Sequence, residues 1–143
     1  SGSVRGIVVT HGTDTLEETA YLLARTLDPG IPVVLTGAMR TSEEEEWDGR
    51  RNLVDSARVA GASESRGRGT MVVLHGTVLS GVEALKTDAG EVDTFRAPRG
   101  APLGVVAGGC CWPTHGRRGR VSGATSTGWR WNWWPSVGRT PCR

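Results

Sequence analysis

Apolar and polar positions alternate in blocks along the first hundred residues. Residues 4–10, VRGIVVT, have a continuous apolar centre, the pattern of a parallel strand buried on both faces. Leu16, Ala20, Leu23 and Leu27 then fall at i, i+4, i+7 and i+11, one stripe of a helix. Asp14 is placed to cap that helix, and Glu17 three residues later fits a capping box. Asp14, Glu17 and Glu18 also lie at the positive end of the helix dipole. Asp28-Pro29-Gly30 ends the helix, and residues 31–37, IPVVLTG, predict a second buried strand. After a polar loop over 38–47, Asp48 caps a second helix with Leu53, Ala57 and Ala60 on its inner side. GASESRGRG, 61–69, is a flexible turn, and TMVVLHG, 70–76, predicts a third strand. Residues 77–100 read as irregular, and LGVVAGG, 103–109, as a final strand.

Strand, helix, strand, helix, strand specifies an α/β fold: an open, mostly parallel sheet with flanking helices. Such sheets bind ligands beyond the carboxyl ends of their strands. His11 to Asp14 lie at one such end, Gly37 to Arg40 at a second, and His75-Gly76 at a third. The sheet-forming part, 1–109, is expected to be a partial domain. Residues 110–143 break the pattern, with no acid, no leucine or isoleucine and no sustained period. That tail is expected to be irregular, either disordered or read out of frame.

Charge sharpens this division. All 15 acidic residues lie between Asp14 and Asp93. The formal charge of +2 is therefore the sum of an acidic first part and a basic tail, and identifies no acidic partner. Five of the six Trp and all three Cys also lie in the tail. Adjacent Cys110-Cys111 with His115 and Cys142 lack the spacing of a zinc site, so no metal is expected. Arg and Trp in the tail are chemically able to stack on nucleic acid or lie on a membrane, but neither partner is expected. No apolar run of about 18 residues is present, the opening residues lack a secretory apolar core, and a cytoplasmic location is expected.

Chemistry concentrates at His11-Gly12-Thr13-Asp14-Thr15. A hydroxyl beside a carboxylate at a strand–helix turn suits three jobs. Asp14 with Thr13 is, at its simplest, a helix cap worth about 1 kcal/mol. The turn is also a seat for an anionic or α-amino-acid group. Finally, Thr13 is a potential nucleophile, which needs a base. A lysine serves as that base when its surroundings keep it neutral. Lys86 is the only lysine in the chain. Taken alone, His11, His75 and His115 read as hydrogen-bonded structural residues, and Glu43 to Glu46 as a solvated loop.

These residues resemble a known family. GIVVTHGTDTL, 6–16, is similar to an active-site signature of the bacterial-type L-asparaginases. The likeness continues through VVLTGAMR, 33–40, DGRRNLVDSARVA, 48–60, VVLHGTVLSG, 72–81, KTD, 86–88, and DTFRAPRGAPLG, 93–104. The resemblance implies an amidohydrolase converting L-asparagine to L-aspartate and ammonia, without cofactor, in a two-domain α/β homo-oligomer. Carried over by position, Thr13, Asp14 and Lys86 would be catalytic. Gly12, Thr13, Asp14 and Ala38 would bind substrate.

The family's earlier Thr-Gly-Gly-Thr-Ile strand carries a threonine taken as primary nucleophile, and it has no counterpart in residues 1–143. The expectation is therefore an asparaginase-like piece that is inactive by itself. The alternatives are a non-catalytic remnant that binds ligand or an asparaginase-like subunit of a tRNA-dependent amidotransferase. Thr41 stands where proline is common in the family, and His75 where asparagine is common.

Overall fold

A computed structural model describes residues 3–107 and 110–112. Its central sheet has six strands: β1 Ile7–Thr10, β2 Val33–Thr36, β3 Thr70–Leu74, β4 Thr77–Ser80, β7 Gly104–Ala107 and β8 Cys110–Trp112, in the spatial order β1-β2-β3-β4-β7-β8. Helix α1, Leu16–Thr26, joins β1 to β2, and helix α2, Gly49–Gly61, joins β2 towards β3. A two-stranded hairpin, β5 Leu85–Lys86 with β6 Phe95–Arg96, lies outside the sheet.

Side chains alternate across a strand, and here the alternation divides the core in two. Val33, Leu35, Val72 and Leu74 point to one side, where Leu16 and Ala20 of α1 meet Leu79, Ala84 and Phe95. Val34, Met71 and Val73 point to the other, against Val59 and Ala60 of α2 with Val78 and Val106. Every residue of β2 and β3 is buried, as their unbroken apolar runs require. β1 differs because it is an edge strand: Ile7 is 43% exposed.

The first three strands are parallel, and the rest of the sheet is antiparallel. The reversal occurs at His75-Gly76, between the paired residues Leu74 and Thr77. Both loop residues have positive φ, 48° and 72°, as a two-residue hairpin matched to strand twist demands. Residues 77–100 are therefore not irregular throughout. Thr77–Ser80 is a full sheet strand, too short and too close to the turn to stand out as a pattern. The expected last strand appears as Gly104–Ala107, running antiparallel to β4. β8 carries the sheet to Trp112, beyond the boundary expected at residue 109. The rest of the tail, including the expected irregularity of 113–143, lies outside the described residues.

The helices depart from expectation in detail. Leu16 and Ala20 are fully buried, but Leu27 lies past the helix and is 45% exposed. The N-cap of α1 is Thr15, not Asp14, and no side chain caps the helix. Asp48 does hold the N-cap position of α2, yet its carboxylate caps no helix N–H and accepts instead from the Met39 and Arg40 N–H groups and the Asn52 side chain. The inner face of α2 is Asn52, Asp55, Ser56, Val59 and Ala60, whereas Leu53 and Ala57 face solvent. Buried polar residues occupy the inner stripe, so counting apolar positions put the face out of phase. Among the described residues no helix is long and apolar enough to cross a membrane.

Candidate functional site at the strand-end rim

Parallel pairing brings Thr10, Thr36 and the end of β3 to one rim of the sheet. The chain leaves β1 there through His11, whose main-chain N–H donates to the Thr36 carbonyl at 2.8 Å. The His11 ring is braced from both sides. Nδ1 lies 2.7 Å from the Gly12 carbonyl oxygen, which only accepts, so Nδ1 is the donor. Nε2 then accepts from the Thr19 hydroxyl at 3.0 Å. The turn is thus tied to the second turn of α1, and Thr13 and Asp14 stand at the top of that helix.

Gly37, the first residue past β2, packs directly under this turn. A Cβ there would lie 2.5 Å from the His11 carbonyl oxygen and 3.1 Å from the Thr13 methyl. Only glycine allows that approach. Ala38 follows at the same rim, half-buried, and Gly12 is exposed.

Lys86 arrives by a longer route. After β4 the chain is beside the start of β3, where the Gly81 N–H donates to the Thr70 carbonyl at 2.9 Å. It then returns over the α1 side of the sheet, burying Ala84 and Phe95 in that core. The β5–β6 hairpin at the end of this path is closed by its own polar side chains. Thr87 Oγ1 donates to the Thr94 carbonyl at 2.7 Å, and the Asp88 N–H donates to Thr94 Oγ1 at 2.6 Å. Asp88 in turn accepts from the Gly90 and Glu91 N–H groups, which hold its carboxyl below the usual range.

Lys86 Nζ donates to Thr13 Oγ1 at 3.1 Å and to Asp14 Oδ1 at 2.9 Å. Two adjacent residues therefore meet a third that lies more than seventy positions away in sequence. The lysine side chain is only 14% exposed, whereas that of Asp14 is 95% exposed. The amine is enclosed by protein, and the carboxylate opens towards solvent. The Lys86 hydrogen bond, reinforced by its charge, holds the Asp14 carboxyl below the usual carboxylate range. An enclosed amine with one hydroxyl and one ionised carboxylate in reach can exchange a proton with the hydroxyl while the carboxylate balances the charge.

Asn52 organises the rim from below. It is 1% exposed. Its Nδ2 donates to the Gly37 carbonyl at 3.0 Å and to Asp48 Oδ2 at 2.9 Å, and its Oδ1 accepts from the His75 N–H at 2.9 Å. Asp48 accepts from the Met39 and Arg40 N–H groups at 3.1 Å. Together the pair fixes the exits of β2 and β3 and the backbone flanking Ala38.

Sequence reasoning places Thr13, Asp14 and Lys86, and the structure brings those three together. It assigns Glu17 to a capping box, but the Glu17 carboxylate accepts the main-chain N–H of Lys86 instead. Asn52 and Thr94 lie inside family-like segments and receive no role from pattern alone; both are buried polar residues, Asn52 on the inner face of α2 and Thr94 just before β6. Glu43 to Glu46 are exposed, with Glu44 capping the Thr41 backbone and Glu46 paired with Arg40. No cluster that could hold a metal is found among the described residues. The candidate zinc residues Cys110, Cys111, His115 and Cys142, and any nucleic-acid or membrane role of the tail's side chains, lie outside the residues whose side chains are described.

Comparison with known proteins identifies the family. The family described as "Asparaginase, N-terminal" matches residues 1–115. "L-asparaginase 2" of Bacillus subtilis (strain 168) is 47% identical over 107 residues, covering 75% of this chain and 28% of that protein. "L-asparaginase 2" of Escherichia coli (strain K12) is 44% identical over 104 residues, 73% of this chain and 30% of that protein. A crystal structure of the probable cytoplasmic L-asparaginase of Campylobacter jejuni superimposes with a TM-score of 0.76 at 38% identity, covering 80% of this chain and 36% of that one. The chain thus spans about a third of the length of the relatives it matches. With the α/β sheet, the His-Gly-Thr-Asp-Thr turn and the matched N-terminal region all in agreement, the chain belongs to the asparaginase family.

Proposed function

We propose that this chain carries the Thr-Asp-Lys part of an amidohydrolase site that converts L-asparagine to L-aspartate and ammonia. The observation that carries the reading is the contact of one enclosed amine with both Thr13 Oγ1 and Asp14 Oδ1. In the proposed reaction the C–N bond of the side-chain amide breaks, and one water is consumed, which supplies the oxygen of the new C–O bond and the proton for the leaving nitrogen. The hydroxyl of Thr13 and the amine of Lys86 pass the proton that the leaving nitrogen must gain, and Asp14 balances the charge on the amine. Asp14 has a second role, since its exposed carboxylate is free to receive the substrate's α-ammonium. Gly12 and Ala38 would line the substrate at the same rim, with their backbone groups in reach. No cofactor enters this scheme.

The whole protein would be a homo-oligomer. Cytoplasmic residence is favoured by the relative named as cytoplasmic, although a Haemophilus influenzae relative is named periplasmic. A second reading, a ligand-binding remnant without turnover, is favoured by the open rim around Asp14. The two separate in one assay: ammonia release from L-asparagine by the protein carrying this segment. Lys86→Ala should lower kcat by about a thousandfold or more. Full activity in that variant would overturn the proposal.

A further inference from the structure

We infer that Glu17 is a positioning residue for the Lys86 amine, an inference that rests on the site reading above. In the β5–β6 ladder the Thr87 N–H donates to the Thr94 carbonyl. Neighbouring N–H groups of a strand point to opposite edges, so the Lys86 N–H points away from β6. It is an edge donor on a two-pair ladder, and the Glu17 carboxylate, in the first turn of α1, accepts it.

Glu17 follows Thr13 by four residues and Asp14 by three. The same helix start therefore holds the lysine twice. Thr13 and Asp14 hold the tip of the side chain, and Glu17 holds its backbone. A lysine stem is long and flexible, and ordering it costs conformational entropy. Fixing its main chain relative to the turn that bears both partners leaves the amine little freedom to miss them. A capping role for Glu17 would instead direct its carboxylate at the helix N–H groups, and no side-chain cap is present on α1.

Because Lys86 is the only lysine, nitrogen-15-labelled lysine gives the 143-residue chain one side-chain ammonium signal. Thr13→Val and Asp14→Asn should each displace that signal. Glu17→Ala should move it to the position of free lysine and make it insensitive to Asp14→Asn. Glu17→Gln, whose amide oxygen can still accept the N–H, should retain the parent signal. Glu17→Asp keeps the charge and loses the reach, so it should behave like Glu17→Ala.

The backbone amide spectrum of β2 and β3 checks that each variant folds. Should Glu17→Ala fail to fold, the Gln and Asp variants carry the test alone. A parent-like lysine signal in Glu17→Ala or Glu17→Asp would overturn the positioning role. A parent signal indifferent to Thr13→Val and Asp14→Asn would instead overturn the three-residue contact, and with it the proposed site.

Discussion

Replacing Asn52 by leucine tests whether the rim is held by its polar clamp or by the apolar core beneath it. Leucine keeps the branched shape of asparagine with bulkier ends, so no cavity forms and any crowding adds to the cost. Three hydrogen bonds disappear: to the Gly37 carbonyl, from the His75 N–H, and to the Asp48 carboxylate. A buried group left without a partner costs about 1–3 kcal/mol. Gly37 is half-buried and His75 is exposed, so water can reach both and each loss belongs at about 1 kcal/mol. Asp48 keeps the Met39 and Arg40 N–H groups, and the charged bond it loses adds about 1.5 kcal/mol.

Leucine's greater apolar burial returns roughly 1 kcal/mol, which leaves a net destabilisation of about 2.5 kcal/mol. With a urea slope of about 1.5 kcal/mol/M, the midpoint should fall by roughly 1.7 M. Urea unfolding of parent and variant by far-UV circular dichroism measures this directly. Ser56→Ala is the control, because it removes only a bond to the Asn52 carbonyl within the same helix, and should cost less than about 1 kcal/mol. A variant within about 0.5 kcal/mol of the parent would refute the clamp, since that is the scale of an ordinary surface substitution.

Gly37→Ala should destabilise the chain by about 2 kcal/mol or more, because the new methyl meets the His11 carbonyl, which cannot move without breaking β1 from β2; thermal melts check this. His75→Asn should stabilise by up to about 1 kcal/mol, since asparagine tolerates the left-handed φ of 48° better than histidine; a lower melting temperature would contradict it. Asp14 has a folded pKa below its usual 3.8, so its stabilising share is complete above that value and is lost as pH falls through the lower folded pKa. Between pH 5 and 2, Asp14→Asn should therefore flatten the fall of melting temperature without abolishing it, because Asp88 and Asp93 are lowered too. Unchanged steepness in the variant would show that the Asp14–Lys86 contact adds nothing.

Much of this could be read from the chain before its coordinates. The strands β2 and β3 announce themselves because a strand covered on both faces needs a continuous apolar centre, Val33–Leu35 and Met71–Leu74, with threonine only at an end. The parallel order of β1, β2 and β3, and the rim it creates, follow from the helices between them. What stayed hidden was set by single bonds and not by periodicity. Asp-x-x-Glu at 14–17 reads as a capping box, but the same two carboxylates serve the amine and the backbone of Lys86. Asn52 and Ser56 occupy the inner stripe of α2, so its buried face could not be counted from apolar residues. β5 and β6 hold two residues each, too few to show any period. Their closure depends on Thr94, whose hydroxyl both accepts from the Asp88 N–H and donates to the Asp88 carbonyl. The position of Lys86 came from family-like spacing alone.

That small ladder has a consequence for how the molecule would fail. The amine rides on a flap with two residue pairs, fastened by Ala84, Phe95 and a few polar bonds, while its partners sit on the central sheet. Such a flap can lift while β2 and β3 stay intact. Mild urea should therefore speed amide exchange at Thr87 and Asp88 well before the sheet melts, and chemical competence would vanish from a protein that still looks folded.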